Sequence, residues 1–138
     1  MLINSLQDLE GSRCTLSYEE DGPWLRATWR GFVDQGEATR GAENYLAHAG
    51  GFRCACLLND NLALRGPWFD TAEWLERAWL PRAQELGLRY IAHVVQADVH
   101  VDVLTLSFPR HLTVGVVELQ LFDEVAHAEA WLRACQRL

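Results

Sequence analysis

In the first third of the chain, apolar and polar residues alternate with a period of two. Cys14, Leu16 and Tyr18 are set against Thr15, Ser17 and Glu19, and Leu25, Ala27 and Trp29 against Arg26, Thr28 and Arg30. Alternate side chains of a strand point to opposite faces, so each stretch predicts a strand with one buried side. The Asp21-Gly22 pair between them is a hairpin signal, and Leu2 to Leu6 reads as a short opening strand. The chain is therefore expected to begin with an antiparallel ribbon.

From Asp34 the period lengthens. Asp34 and Glu37 have the spacing of a capping box, Ala38, Ala42, Tyr45 and Ala49 recur at helical intervals, and Gly50-Gly51 stops the helix. Cys54 to Leu58 is an unbroken apolar run, as expected of a central strand buried on both faces, and the polar triplet Asn59-Asp60-Asn61 marks its carboxyl end. Asp70 and Glu73 repeat the capping-box spacing before a helix with the stripe Ala72, Leu75, Trp79, Ala83 and Leu86. Pro81 removes one backbone hydrogen bond from that helix and clashes with the carbonyl four residues back, which predicts a kink or a restart near Leu80. Gly87 ends the helix, and Tyr90 to Val95 is the next buried strand.

Residues 97–113 read two ways. Val99, Val101 and Val103 alternate with Asp98, His100 and Asp102 as in a strand, yet a crossover is due here, which favours a short helix followed by a loop at Pro109. Val114 to Phe122 then reads as one strand, and Asp123 caps a final helix with the stripe Val125, Ala128, Leu132 and Cys135. Strands alternating with helices after residue 30 imply parallel pairing through right-handed crossovers. The expected fold is a single α/β domain over residues 1–138, with one mixed, largely parallel sheet, an antiparallel N-terminal ribbon and about four helices.

At 138 residues, 49% hydrophobic and 22% charged, the chain can bury a core without disulfides or metal. Its formal charge of -7, from 12 Lys and Arg against 19 Asp and Glu, is spread along the sequence. Such a surface repels phosphate backbones, and no Lys/Arg cluster offers itself to an anionic membrane, so neither nucleic acid nor membrane is an expected partner. Met1 to Ser12 carries no basic and apolar leader pattern, and no run reaches transmembrane length. The expected location is the cytoplasm, with Cys14, Cys54, Cys56 and Cys135 as thiols.

Three stretches carry a family resemblance: Cys54-Ala-Cys-Leu-Leu-Asn-Asp-Asn61, the tryptophan-rich Glu73-Trp-Leu-Glu-Arg-Ala-Trp-Leu-Pro81 running to Gly87-Leu-Arg-Tyr-Ile-Ala92, and Glu118-Leu-Gln-Leu-Phe-Asp123 leading to Ala130-Trp-Leu132. Together they resemble the SpoIIAA-like branch of the STAS superfamily, small bacterial domains related in fold to CRAL-TRIO lipid-transfer domains. The resemblance spans roughly residues 25 to 135 and implies a STAS-like fold and a regulatory or protein-interaction role in bacterial signalling. In phosphorylated members a serine or threonine follows the central strand, where an added phosphate meets backbone donors. Here that place holds Asn59, Asp60, Asn61 and Leu62, with no hydroxyl residue before Thr71, so the usual phosphorylation switch is not expected.

In open α/β sheets ligands and partners meet the loops beyond the carboxyl ends of the parallel strands, which selects Asn59, Asp60, Asn61, Gln96 and Asp98 as a polar rim. Asn and Asp are also the favoured turn and cap residues. Trp68 falls in the Gly66-Pro67 loop before the second helix and Trp74 within that helix, off the centre of its stripe, and tryptophan suits interfaces and pockets as well as cores. Asp98, His100 and Asp102 would share a face only in a strand, where they could ligate a metal; solvated polar positions are the ordinary reading. Cys54 and Cys56 lack the spacing of a redox motif and read as small buried hydrophobes, and His93 reads as a hydrogen-bonded core residue. No catalytic triad, phosphate loop or metal motif is present in motif form, so no cofactor is implied and a non-enzymatic domain is expected. Its partner is expected to be another protein through residues 59–61 or, alternatively, a small apolar or lipid ligand, which an internal apolar cavity would favour. Homodimerisation is compatible with either reading.

Overall fold

The structure is a computed structural model that describes residues 2–7, 13–52, 54–65, 74–96 and 111–137. The alternating stretches pair as the expected ribbon, β1 (Leu2–Gln7), β2 (Arg13–Glu19) and β3 (Trp24–Gly31), antiparallel throughout. Its register sets Cys14 opposite Trp29, Leu16 opposite Ala27 and Tyr18 opposite Leu25, so apolar positions gather on one face. Helix α1 (Gln35–Ala49) follows, with the capping box formed as the spacing requires: Asp34 accepts from the Glu37 N–H at 2.7 Å and Glu37 from the Asp34 N–H at 3.0 Å.

The parallel part runs from β3 through β4 (Cys56–Leu64) and β5 (Tyr90–Val94) to β7 (Val117–Phe122), with β6 (His111–Val114) antiparallel at the far edge. The seven strands among the described residues form one mixed sheet in the order β1-β2-β3-β4-β5-β7-β6. Between β4 and β5 the chain forms a π-helical turn, Leu75–Trp79, that runs into α2 (Leu80–Glu85); the last helix is α3 (Val125–Cys135). α1 packs on α2 and on β2, while α3 packs on β4, β5 and β7. Trp131 of α3 meets Tyr90 and Phe122, whereas the neighbouring strand positions Ile91 and Leu119 face the helices of the other layer, so the sheet is covered on both sides. No helix among the described residues is long and apolar enough to cross a membrane.

Several expectations need correction. The sheet is mixed, as expected, but among the described residues parallel pairings do not predominate, because β6 adds an antiparallel edge to the antiparallel ribbon. The stretch expected as one strand from Val114 to Phe122 is a hairpin: Gly115 takes φ 61°, a left-handed conformation that reverses the chain. Asp123 does not cap the final helix, whose N-cap is Glu124 with no side-chain hydrogen bond. Cys54 lies ahead of β4 rather than within it. The main correction concerns the polar triplet: β4 runs on to Leu64, so Asn59, Asp60 and Asn61 lie inside a central strand and are buried. Three helices stand among the described residues. The expected fourth, together with the Asp70 and Glu73 cap, Trp68 and the set Asp98, His100 and Asp102, falls largely or wholly outside them.

Candidate functional site

Three buried polar side chains in the middle of a sheet have to find partners, since an unpaired buried donor or acceptor costs about 1–3 kcal/mol. Asn59 finds them on three sides. Its Oδ1 accepts the indole N–H of Trp29 at 2.9 Å, and its Nδ2 donates to Asn61 Oδ1 at 3.2 Å and contacts His93 Nδ1 at 2.8 Å. β3, β4 and β5 are adjacent, and Asn59 is in register with His93, so the ladder crosses the sheet on one face. An indole N–H can only donate, which fixes the Asn59 amide with its oxygen toward Trp29. The amide nitrogen then donates to Nδ1 of the fully buried His93, which makes that ring nitrogen the acceptor.

Asp60 points to the opposite face. It takes the Arg26 guanidinium at 2.7 Å and the Leu62 N–H at 3.0 Å, while Arg26 also reaches Glu19 at 3.3 Å. Burial works against the Arg26 charge, but Asp60 and Glu19 outweigh it and hold its pKa above the ordinary value. Gln96, just beyond β5, donates to the Leu62 carbonyl and so ties the end of one strand to its neighbour.

On the Asn59 face the sheet and helices enclose a partly open cavity of about 70 Å³. One water needs about 10–15 Å³ of such space, so there is room for a small organic group. The floor comes from the sheet: Ala27 and Trp29 on β3, Leu57 and Asn59 on β4, Ile91 and His93 on β5, and Leu119 on β7. The roof comes from Gly41, Ala42 and Tyr45 of α1 and from Leu75, Trp79 and Leu80 around the π turn. Among the described residues, no Asp, Glu, Lys or Arg belongs to this lining.

Two backbone irregularities meet here. The register of β3 on β4 slips between Thr28 and Arg30, so that Asn61 and Leu62 stand opposite Trp29 alone, a β-bulge beside the polar ladder. Across the cavity, the π turn replaces the α-helical ladder with a hydrogen bond from the Leu80 N–H to the Leu75 carbonyl. Trp79 fixes that roof to its neighbour by donating its indole N–H to the Ala42 carbonyl at 2.8 Å, with Tyr45 against its ring at 5.4 Å. Bulges and π turns both concentrate at functional sites.

Of the residues proposed from sequence, the structure gathers Asn59 and Asn61 at this cavity's polar ladder and turns Asp60 away from it. Gln96 serves the sheet, and Trp74, half-buried at the start of the helix, packs on the core. Trp68 and Asp98 lie outside the described residues. Sequence reasoning missed Trp29, Tyr45, Trp79 and His93 as cavity walls, having read Trp79 and His93 as core. The signal that could have found them was a histidine in an apolar strand beside a strand carrying asparagines. Cys14, Cys54, Cys56 and Cys135 are free buried thiols, and burial pushes Cys14 and Cys56 up to about 12. Asp123, Glu124 and His127 form an exposed cluster at the start of α3. No protein-family model matches the chain, and neither does any curated protein or solved structure.

Proposed function

We propose that this domain binds a small, uncharged, largely apolar molecule in the cavity between the Asn59 face of the sheet and the roof formed by α1 and the π turn. The observation that carries the reading is the chemistry of the lining. Among the described residues it holds no charged side chain, and Asn59, His93 and the two indole N–H groups are engaged with one another or with backbone, which leaves the Tyr45 hydroxyl as the one further polar group of that lining. A water placed there would find little to bond, and an ion would lose its hydration without a counter-charge. An apolar occupant loses nothing on entry and gains contact with Trp29, Tyr45 and Trp79, which favours a planar, aromatic-sized ligand.

A STAS-like interaction module that docks a protein through residues 59–61 is supported by the order of elements. It has less behind it at the site, because those three side chains are buried and offer no docking surface.

The test is a titration followed through the indole N–H resonances of the ¹⁵N-labelled protein, with phenol as the neutral probe and benzoate and benzylammonium as charged ones. Phenol is expected to shift Trp29 and Trp79 saturably while the two ions leave them in place. Equal response to all three, or to none, would refute the reading.

A further inference from the structure

The cavity wall contains Leu75, Trp79 and Leu80, and the spacing of the outer two is unusual. In an α-helix successive side chains turn by about 100°, so residues five apart point about 140° away from each other. They cannot share one narrow wall. In a turn closed by i→i−5 bonds, with about 4.4 residues per turn, the same two residues are about 50° apart. The Leu80 N–H to Leu75 carbonyl bond is of this kind, and it brings both leucines to the cavity beside Trp79.

Pro81 stands one residue beyond that bond. In a continuous α-helix its ring would press on the Arg77 carbonyl, which would also be left without a donor. In the structure α2 instead begins at Leu80, with Pro81 in its first turn, where a missing N–H costs nothing. Trp79, anchored to Ala42, holds the preceding turn against α1. We propose that Pro81 is a positioning residue: by keeping the turn before it in π geometry, it puts both Leu75 and Leu80 on the cavity wall and sets the size of ligand admitted. Its functional meaning rests on the small-molecule reading of the cavity.

Replacing Pro81 with alanine restores the N–H and removes the ring. The ladder then closes as an α-helix, the Leu80 N–H moves to the Glu76 carbonyl, and a wall that keeps Trp79 loses Leu75 or Leu80. The cavity widens on that side. The experiment is a crystal structure of P81A together with the affinities of wild type, P81A and L80A for benzene and for the larger indole. L80A opens the wall while leaving the proline in place.

The expected result is an α-helical register in P81A and an indole-to-benzene affinity ratio raised by about tenfold, the scale of a methylene-sized change in an apolar pocket. L80A should show a similar rise with the π turn retained. General loosening of the fold would weaken both probes alike and leave the ratio unchanged. A π turn that survives in P81A overturns the proposal, as does a relaxed register with an unchanged ratio. If wild type binds neither probe, the small-molecule reading has failed, and the register and cavity volume of P81A still decide the part played by Pro81.

Discussion

Replacing Gly41 with alanine tests whether the Trp29 indole is as tightly seated as the site requires. Gly41 is buried in the middle of α1, and a Cβ built there runs into the six-membered ring of Trp29. That ring has little freedom to retreat: Trp29 is 2% exposed, and its N–H is held by Asn59 at 2.9 Å. Helix propensity alone would make the change favourable by about 1 kcal/mol. Against that stand about 1–3 kcal/mol of overpacking and about 1 kcal/mol for a strained or broken buried hydrogen bond. The net expectation is a loss of about 2 kcal/mol, or about 1 M in the urea midpoint at a slope of about 2 kcal/mol per M. Gly36, exposed in the first turn of the same helix, supplies the control. A Cβ there meets Asp34 Oδ1 at 3.4 Å and Arg40 at 3.5 Å, and Gly36→Ala should be neutral or stabilising by up to about 1 kcal/mol. Urea unfolding followed by circular dichroism measures both. A G41A protein as stable as wild type would refute the reasoning, because the indole would then be free to move and the cavity wall would not be fixed.

Other consequences follow from the same contacts. Asn59→Ala strips partners from Trp29 and His93 and should cost about 3 kcal/mol in urea unfolding; a loss under about 1 kcal/mol would mean the ladder is not what holds these side chains. Arg26→Met leaves the Asp60 carboxylate, 9% exposed, without its cation and should cost about 2 kcal/mol, less than a fully buried pair because Arg26 is 23% exposed. Adding Asp60→Asn to that variant should recover most of the loss in the same assay. Cys14 and Cys56 ionise near 9.0 when unconstrained but only near 12 in the folded chain, so the folded state holds those protons more tightly. Their contribution is complete below pH 9 and is lost as pH rises through about 12, so stability should fall progressively above pH 9. A Cys14→Ala, Cys56→Ala double variant should show a flatter profile in urea titrations between pH 8 and 11, and identical slopes would contradict the assignment.

Where partners lie close along the chain, the sequence pattern was enough. The capping box of α1 needs only residues three apart, and the apolar faces of β2 and β3 show in their alternation, so both elements were legible. Asn59-Asp60-Asn61 was read as a strand end because such residues usually satisfy themselves in turns. Here Asn59 and Asp60 are answered from other strands, by Trp29, His93 and Arg26, about thirty residues away, and Asn61 is tied to Asn59. No local pattern reveals that. Gly115 shows the same limit at smaller scale: one residue with φ 61° divides what hydrophobicity alone reads as a continuous strand. Pro81 announced an irregularity correctly, but the form it takes, a π turn that adds a leucine to a cavity wall, depends on the packing of Trp79 against α1.

The most direct test of the central claim is a crystal structure of the protein grown with 4-iodophenol, using the anomalous signal of iodine to locate it. One peak is expected inside the cavity, between the Trp29 and Trp79 rings and above Ile91. A cavity left empty at saturating probe, with iodine found only on the outer surface, would contradict that claim.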